Sequence, residues 1–295
     1  MKKLFLLSAM ALSLSFGANA QGHCCHDGGH CYDDRYGRRL VWSEEFDKDG
    51  KPDPKVWNFE NGFVRNHEDQ WYQPDNARIS DGRLIIEARN IKSEKRRNPR
   101  FDSSKPEKWP NKKFIDYTSS CLITRDNFDF QYGTVEVRAK IPTAGGAWPA
   151  IWLLGNGPWP ENGEIDMMEY YRINGVPHIL ANACWGSDTP YNAVWDSAKI
   201  PFSHFTEKDP DWASKFHIWR MDWDEKAIKL YLDGELLNEI PLSDTVNGKI
   251  GKGSNAMKNR KYLLVNLAIG GDNGGKIDDS AFPMPYEIDY IRVYQ

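Results

Sequence analysis

Polar and apolar residues alternate with period two along much of the chain. In TVEVRAKI (134–141), Val135, Val137, Ala139 and Ile141 share one face, and Glu136, Arg138 and Lys140 the other. Successive side chains of a strand point to opposite faces, so this stretch predicts a half-buried strand. AIKLYLDGELLNEI (227–240) predicts two strands joined at Asp233-Gly234, residues that tolerate the positive φ angles of a tight hairpin. GRLIIEAR (82–89), YLLVNLAIG (262–270) and YEIDYIRVYQ (286–295) read as further strands. No stretch carries a long helical period, and FTEKDPDWASKFH (205–217) holds a helical turn at most. Many short strands with Gly and Pro between them predict an all-β sandwich or barrel. The basic stretch 89–116 reads as a solvated loop, with the option of walling a binding groove.

One strand breaks the alternation. In GEIDMMEYY (163–171), Glu164 and Asp166 share a face, but the next acid is Glu169, one residue late. A β-bulge at Met167-Met168 inserts one extra residue and shifts the register beyond it. Glu169 then returns to the face of Glu164 and Asp166, and Ile165 with one or both Met side chains turns into the core. Four effective steps separate the two Glu Cα atoms by roughly 13 Å. Side chains reaching toward each other bring the carboxyl groups within about 5–5.5 Å, the spacing of a retaining glycosidase. Asp166 between them helps keep one Glu protonated, because close carboxylates do not all ionise cheaply. Solvent-facing decoration is disfavoured, since no Lys or Arg interleaves to relieve the repulsion. A calcium cluster is disfavoured too, because a strand does not wrap a cation as a loop does.

Composition sharpens this reading. The chain has 12 Trp, more than core packing alone explains, and ring faces suit stacking on sugars. Trp148 and Trp152 lie upstream of the acids in GGAWPAIWLLG (145–155), while Trp159 and Trp185 flank them. Asn66, Glu68 and Gln70 surround Trp71 in NHEDQWY (66–72), a composition that suits a sugar subsite or an ordinary turn. The net charge of −4 gives no argument for nucleic acid.

The chain opens MKKLFLLSAMALSLSFGANA, a basic start, an apolar run and an A-x-A site. This predicts a signal peptide over residues 1–20, and export to the periplasm, cell surface or medium. The apolar run is short for a membrane anchor, and no later segment spans a bilayer. Residues 21–39 are expected to be a flexible Cys/His-rich segment, and residues 40–295 the catalytic domain. HCCHDGGHC (23–31) is either a metal tract or an idle start, and without paired C-x₂-C spacing the second is expected. Five cysteines leave at least one unpaired or intermolecular.

With EIDMME downstream of WPAIW, the chain resembles glycoside hydrolase family 16, in its laminarinase-like group. LVWSEEFD (40–47), NHEDQWY (66–72), DGRLIIEAR (81–89), YGTVEVRAKIP (132–142), LLVNLAIGG (263–271) and IDYIRVYQ (288–295) carry the likeness in order over residues 40–295. The resemblance implies a two-sheet, concanavalin-like jelly-roll sandwich with a concave substrate cleft. It implies Glu164 as nucleophile, Asp166 as helper and Glu169 as acid/base. It places Trp148 on the cleft floor and Asn66 and Glu68 near the non-reducing-side subsites; Trp152 and Trp185 are further candidate sugar contacts. It implies a structural calcium held by Glu45 and Gly82 through their backbones and by Asp289. Relatives often carry a T-x-H pattern after the acids; here ANACWGS (181–187) puts Cys184 at that place, and His178 lies six residues earlier.

The expected activity is endo-hydrolysis of β-1,3- or mixed β-1,3/1,4-glucans with retention, without an organic cofactor, by a monomer. The alternatives are the same fold and mechanism on agarose, porphyran or carrageenan, and a non-catalytic glycan-binding protein.

Overall fold

The computed structural model describes residues 37–295 and the backbone of Tyr32–Asp33. The expected signal peptide and the Cys/His tract at 23–31 lie outside the described residues. Strands dominate and assemble into two sheets. The first strand of the domain, Arg38–Glu44, begins two residues ahead of the expected boundary at Leu40. It pairs with Tyr32–Asp33 on one side and with the closing strand Met284–Tyr294 on the other.

The larger sheet runs in the order Glu235–Pro241, Ala227–Leu232, His217–Trp223, Gly133–Lys140, Met284–Tyr294, Arg83–Asn90, Tyr117–Ser119 and Gln70–Tyr72. The predicted hairpin is present: Asp233 and Gly234 have φ of 50° and 86° between antiparallel strands. The predicted helical segment is one turn, Ser203–Thr206, and a 3₁₀ turn, Trp212–Ser214. The second sheet runs Ala193–Pro201, Val176–Gly186, Glu164–Ile173, Ala147–Gly155, Lys261–Ile269, Cys121–Ile123 and Asn58–Phe59.

The core lies between the sheets. Val135, Val137 and Ala139 enter it from the large sheet, and Ile151, Ile165 and Met168 from the other, all fully buried. Each such aliphatic side chain contributes about 1.5–3 kcal/mol on leaving water. Trp219 and Trp223 are fully buried in the same core, so part of the tryptophan content is structural. Apolar residues fill one face of the smaller sheet, which frees its other face for polar groups.

Cys121 and Cys184 are buried free thiols. Among the described residues no helix is long and apolar enough to cross a membrane. Of the expected calcium residues, Glu45 grips Arg292 with both carboxylate oxygens, at 2.9 and 2.7 Å, and Asp289 accepts Arg138 at 2.5 Å. Gly82 sits in the turn before Arg83–Asn90 with φ of 70°.

Candidate active site

The free face of the smaller sheet forms the floor of a cleft of about 740 Å³. The acidic strand Glu164–Ile173 lies at its middle and carries the bulge the sequence predicts. Against the strand Ala147–Gly155, Glu169 faces Ala150, Met168 faces Ile151 and Asp166 faces Trp152, which leaves Met167 unopposed. Against Val176–Gly186, Asp166 faces Asn182 and Glu169 faces Leu180. Both Met side chains are buried in the core, with Ile165 and Tyr170. Glu164, Asp166, Glu169 and Tyr171 therefore all line the cleft.

Each glutamate is held by an indole. Trp159 Nε1 donates to Glu164 Oε2 at 3.0 Å, and Trp148 Nε1 donates to Glu169 Oε1 at 3.0 Å. Asn182 Nδ2 donates to Glu169 Oε2 at 3.1 Å and to Asp166 Oδ2 at 3.4 Å. Burial raises the pKa of both glutamates to about 7. Their other neighbours differ. The Trp159 hydrogen bond, Arg65 and Asp166 oppose that rise at Glu164. At Glu169 the Trp148 and Asn182 hydrogen bonds oppose it, while the charges of Glu164 and Glu68 add to it. Asp166 is pushed well above the usual carboxylate range, first by burial and then by Glu164 and Glu169. With three carboxyl groups this close, protons leave in coupled steps. Asp166 is the group pushed furthest toward its neutral form, and of the two glutamates Glu164 has the neighbours that favour its charge.

The remaining floor is a polar network. Trp152 Nε1 donates to Asn266 Oδ1 at 2.7 Å, and Asn266 Nδ2 donates to the Tyr72 hydroxyl at 2.9 Å. Glu68 accepts Gln70 Nε2 at 2.7 Å and Asn66 Nδ2 at 3.3 Å. Arg65 lies over the Trp152 ring, 5.1 Å from its centroid, and pairs with Glu60. Its cation offsets the buried charge of Glu68.

Most of the expected site residues meet in this cleft: Glu164, Asp166, Glu169, Trp148, Trp152, Asn66 and Glu68 all line it. Trp185 does not. It is buried in the inter-sheet core, because Asn182 faces the cleft and residues of odd number on that strand face the other way. The exposed indoles are Trp159 and Trp195, at 38% and 45%. Trp195 lies on the edge strand Ala193–Pro201, opposite Cys184, which in turn lies opposite Glu164. Cys184 thus sits beside Glu164 on the neighbouring strand. Its thiol is held neutral first by burial and then by the charge of Glu164. Sequence reasoning missed Asn182 and Trp195, whose places follow only from pairing across strands.

The basic stretch 89–116 contributes no residue to the cleft lining. It packs outside, where Trp109 Nε1 donates to the Glu68 carbonyl at 2.9 Å. The cleft's cations are Arg65 and Lys199.

Comparison with known proteins agrees with this geometry. The profile "Glycosyl hydrolases family 16" matches residues 66–280. The chain is 31% identical over 314 residues to the "Beta-glucanase" of Rhodothermus marinus, covering 100% of this chain and 96% of that protein. A solved structure described under "Prominent members of the human gut microbiota express endo-acting O-glycanases to initiate mucin breakdown" superposes with a TM-score of 0.76 at 32% identity, over 88% of this chain and 91% of its own. The laminarinase catalytic domain of Thermotoga maritima MSB8 gives 0.69 at 33% identity, over 88% and 98%. With its bulged acidic strand, its indole-held carboxylates and this family match, the chain belongs to family 16 of the glycosyl hydrolases and is a glycoside hydrolase.

Proposed function

We propose that the protein is a retaining, endo-acting β-glucanase that cuts β-1,3- and mixed β-1,3/1,4-linked chains. The observation that carries the reading is the pair Glu164 and Glu169 on one cleft face, each fixed by its own indole N–H, with Arg65 near the first and further carboxylates near the second. Glu164 attacks the anomeric carbon as the bond to the leaving oxygen breaks. Glu169 gives its proton to that oxygen, and a covalent glycosyl–enzyme forms. Glu169, now ionised, takes a proton from water. The water attacks the same carbon and releases Glu164. Protonated Asp166 hydrogen-bonds Glu164 and stabilises its charge when it leaves the sugar. The glucan specificity rests on the similarity to the Rhodothermus β-glucanase and the Thermotoga laminarinase.

A second reading, endo-cleavage of mucin-type O-glycans, is favoured by the higher TM-score to the structure described with O-glycanases. Sulfated galactans draw no support from the basic loop, which lies outside the cleft. Reducing-end release from laminarin, barley mixed-linkage glucan, agarose and mucin O-glycans separates these readings. Cleavage of laminarin is expected; activity on mucin glycans alone would replace the first reading with the second. Glu164→Gln should lower kcat by at least about 10³-fold, and retained turnover would remove its role.

We further propose export, from the sequence of residues 1–20, with a mature protein beginning at Gln21 as N-terminal sequencing would read it. We also propose a structural calcium near Glu45, Gly82 and Asp289. The donors left to it are backbone carbonyls and the second oxygen of Asp289, since Arg138 holds the first. If it binds, added calcium raises Tm and chelation lowers it.

A further inference from the structure

A second groove of about 350 Å³ lies on the far side of Trp159, lined by Pro158, Trp159, Glu161, Tyr191, Ile250 and Lys252 among others. Its apolar lining is held open to water: Tyr191 is 83% exposed and Ile250 45%. Contiguous exposed apolar side chains of this kind mark binding surfaces.

The groove is built from three pinned loops. Asn247 Nδ2 donates to the Glu161 carbonyl at 2.9 Å, while Asn247 Oδ1 accepts Gly186 N at 2.7 Å. Gly248 N donates to the Gly186 carbonyl at 2.8 Å, and Lys249 N to Asp188 Oδ1 at 2.8 Å. Buried Lys261 Nζ donates to the carbonyls of Asn162 at 3.0 Å and Ala256 at 2.7 Å, fixing the loop that carries Trp159. Within this frame Glu161 Oε1 is shielded from solvent and has no hydrogen-bond partner.

We propose that this groove is an accessory subsite that takes a second stretch of the neutral polysaccharide already engaged in the cleft. The inference rests on the polysaccharide-hydrolase reading above and adds a site to it. Three observations select this occupant. Trp159 lines both cavities, so the groove is continuous with the cleft across one indole. The lining offers ring and proline faces with one acceptor, Glu161, and one donor, Lys252, which is the chemistry of a sugar's C–H face and hydroxyls. The volume falls within the range of small-ligand sites, about 300–1,000 Å³.

The test uses the full chain with Tyr191→Ala and, separately, Ile250→Ser. Neither residue lines the cleft, and both are exposed, so folding should be kept; Tm checks it. KM and kcat are measured on laminarin and on a short laminari-oligosaccharide that fills the cleft alone. Tyr191→Ala should raise the polymer KM about three- to tenfold, leaving kcat and short-substrate kcat/KM at wild-type values. Ile250→Ser should move the polymer KM in the same direction. Affinity electrophoresis of Glu164→Gln in a laminarin gel, with and without Tyr191→Ala, reads binding without turnover and should show weaker retardation in the double variant. Unchanged polymer KM in both variants, or equal losses on polymer and short substrate, overturns the proposal. Wild-type turnover tests the substrate reading on its own: if another polymer of the panel is cut instead, that polymer and its short fragment replace laminarin in the same comparison.

Discussion

Trp148 and Trp159 donate to different carboxylates, and this separates the two glutamates experimentally. A hydrogen bond to the charged form of a carboxyl group lowers its pKa. Removing Trp148 Nε1 therefore raises the pKa of Glu169, the proton donor, and the alkaline limb of the kcat/KM profile should move to higher pH. Removing Trp159 Nε1 raises the pKa of Glu164, which must be ionised to attack, so the acidic limb should move to higher pH instead. We expect Trp148→Phe and Trp159→Phe each to lower kcat about tenfold or more and to move opposite limbs. If Trp148→Phe moves the acidic limb, the two roles are exchanged. At this scale the sequence disclosed the acids but not their partners. Asn182 gave no local pattern, since its role comes only from lying opposite Asp166 on the next strand. Trp185 read as a sugar contact because it is an indole near the acids; strand parity, counted from Asn182, sends it into the core instead.

The acidic strand places a chemical demand on a packing motif. Were Met167 paired and the strand unbulged, strict alternation would point Glu169 into the core and Tyr170 into the cleft. Inserting one alanine between Met168 and Glu169, with the bulge kept, should abolish activity and lower Tm, because the late acid is then forced between Met and Ile side chains, whereas deleting Met167 keeps Glu164, Asp166 and Glu169 on one face by strict alternation. Met167→Leu keeps volume and register and should cost less than about 1.5 kcal/mol with activity retained. An active insertion variant would show that the register beyond the bulge does not aim Glu169. The bulge was legible because strict alternation would bury the late acid unpaired in the core, and one inserted residue removes that cost. The edge strand Ala193–Pro201 was not. Both of its faces are partly wet, so its alternation is weak, and its cleft residues Trp195, Ser197 and Lys199 went unnoticed with it. The hairpin at Asp233-Gly234 and the strand Gly133–Lys140 were legible because turn chemistry and a one-sided core each leave a local mark.

Across the molecule, the two sheets divide structure from chemistry, and that division sets how stability varies with pH. Surface acids such as Glu87, beside Arg89 and Arg78, and Glu235, beside His204 and Lys208, have lowered pKa values. Their contribution is present above the unfolded carboxylate range and is lost as pH falls. The cleft glutamates behave in the opposite sense. Burial raises Glu164 and Glu169 from 4.5 to about 7, so between those values the folded state binds more protons than the unfolded one. Stability must then decline as pH rises through that window, by about 1–3 kcal/mol for each group. Lys261 has the reverse linkage above it. Burial lowers its pKa from 10.5 to about 7, so the unfolded state binds more protons from there upward and stability recovers. Asp166, pushed well above the carboxylate range, continues the decline against the recovery at Lys261, so Tm should fall between about pH 5 and 7 and flatten beyond, until general alkaline unfolding intervenes. Replacing a cleft acid removes its share of the fall: Glu169→Gln should leave Tm near wild type at pH 5 and raise it at pH 8, in the same protein that has lost its activity. Thermal melts of wild type and variant at the two pH values check this. An equal Tm difference at both would mean that Glu169 titrates like an exposed carboxylate, and the electrostatic basis for its service as the acid would go with it.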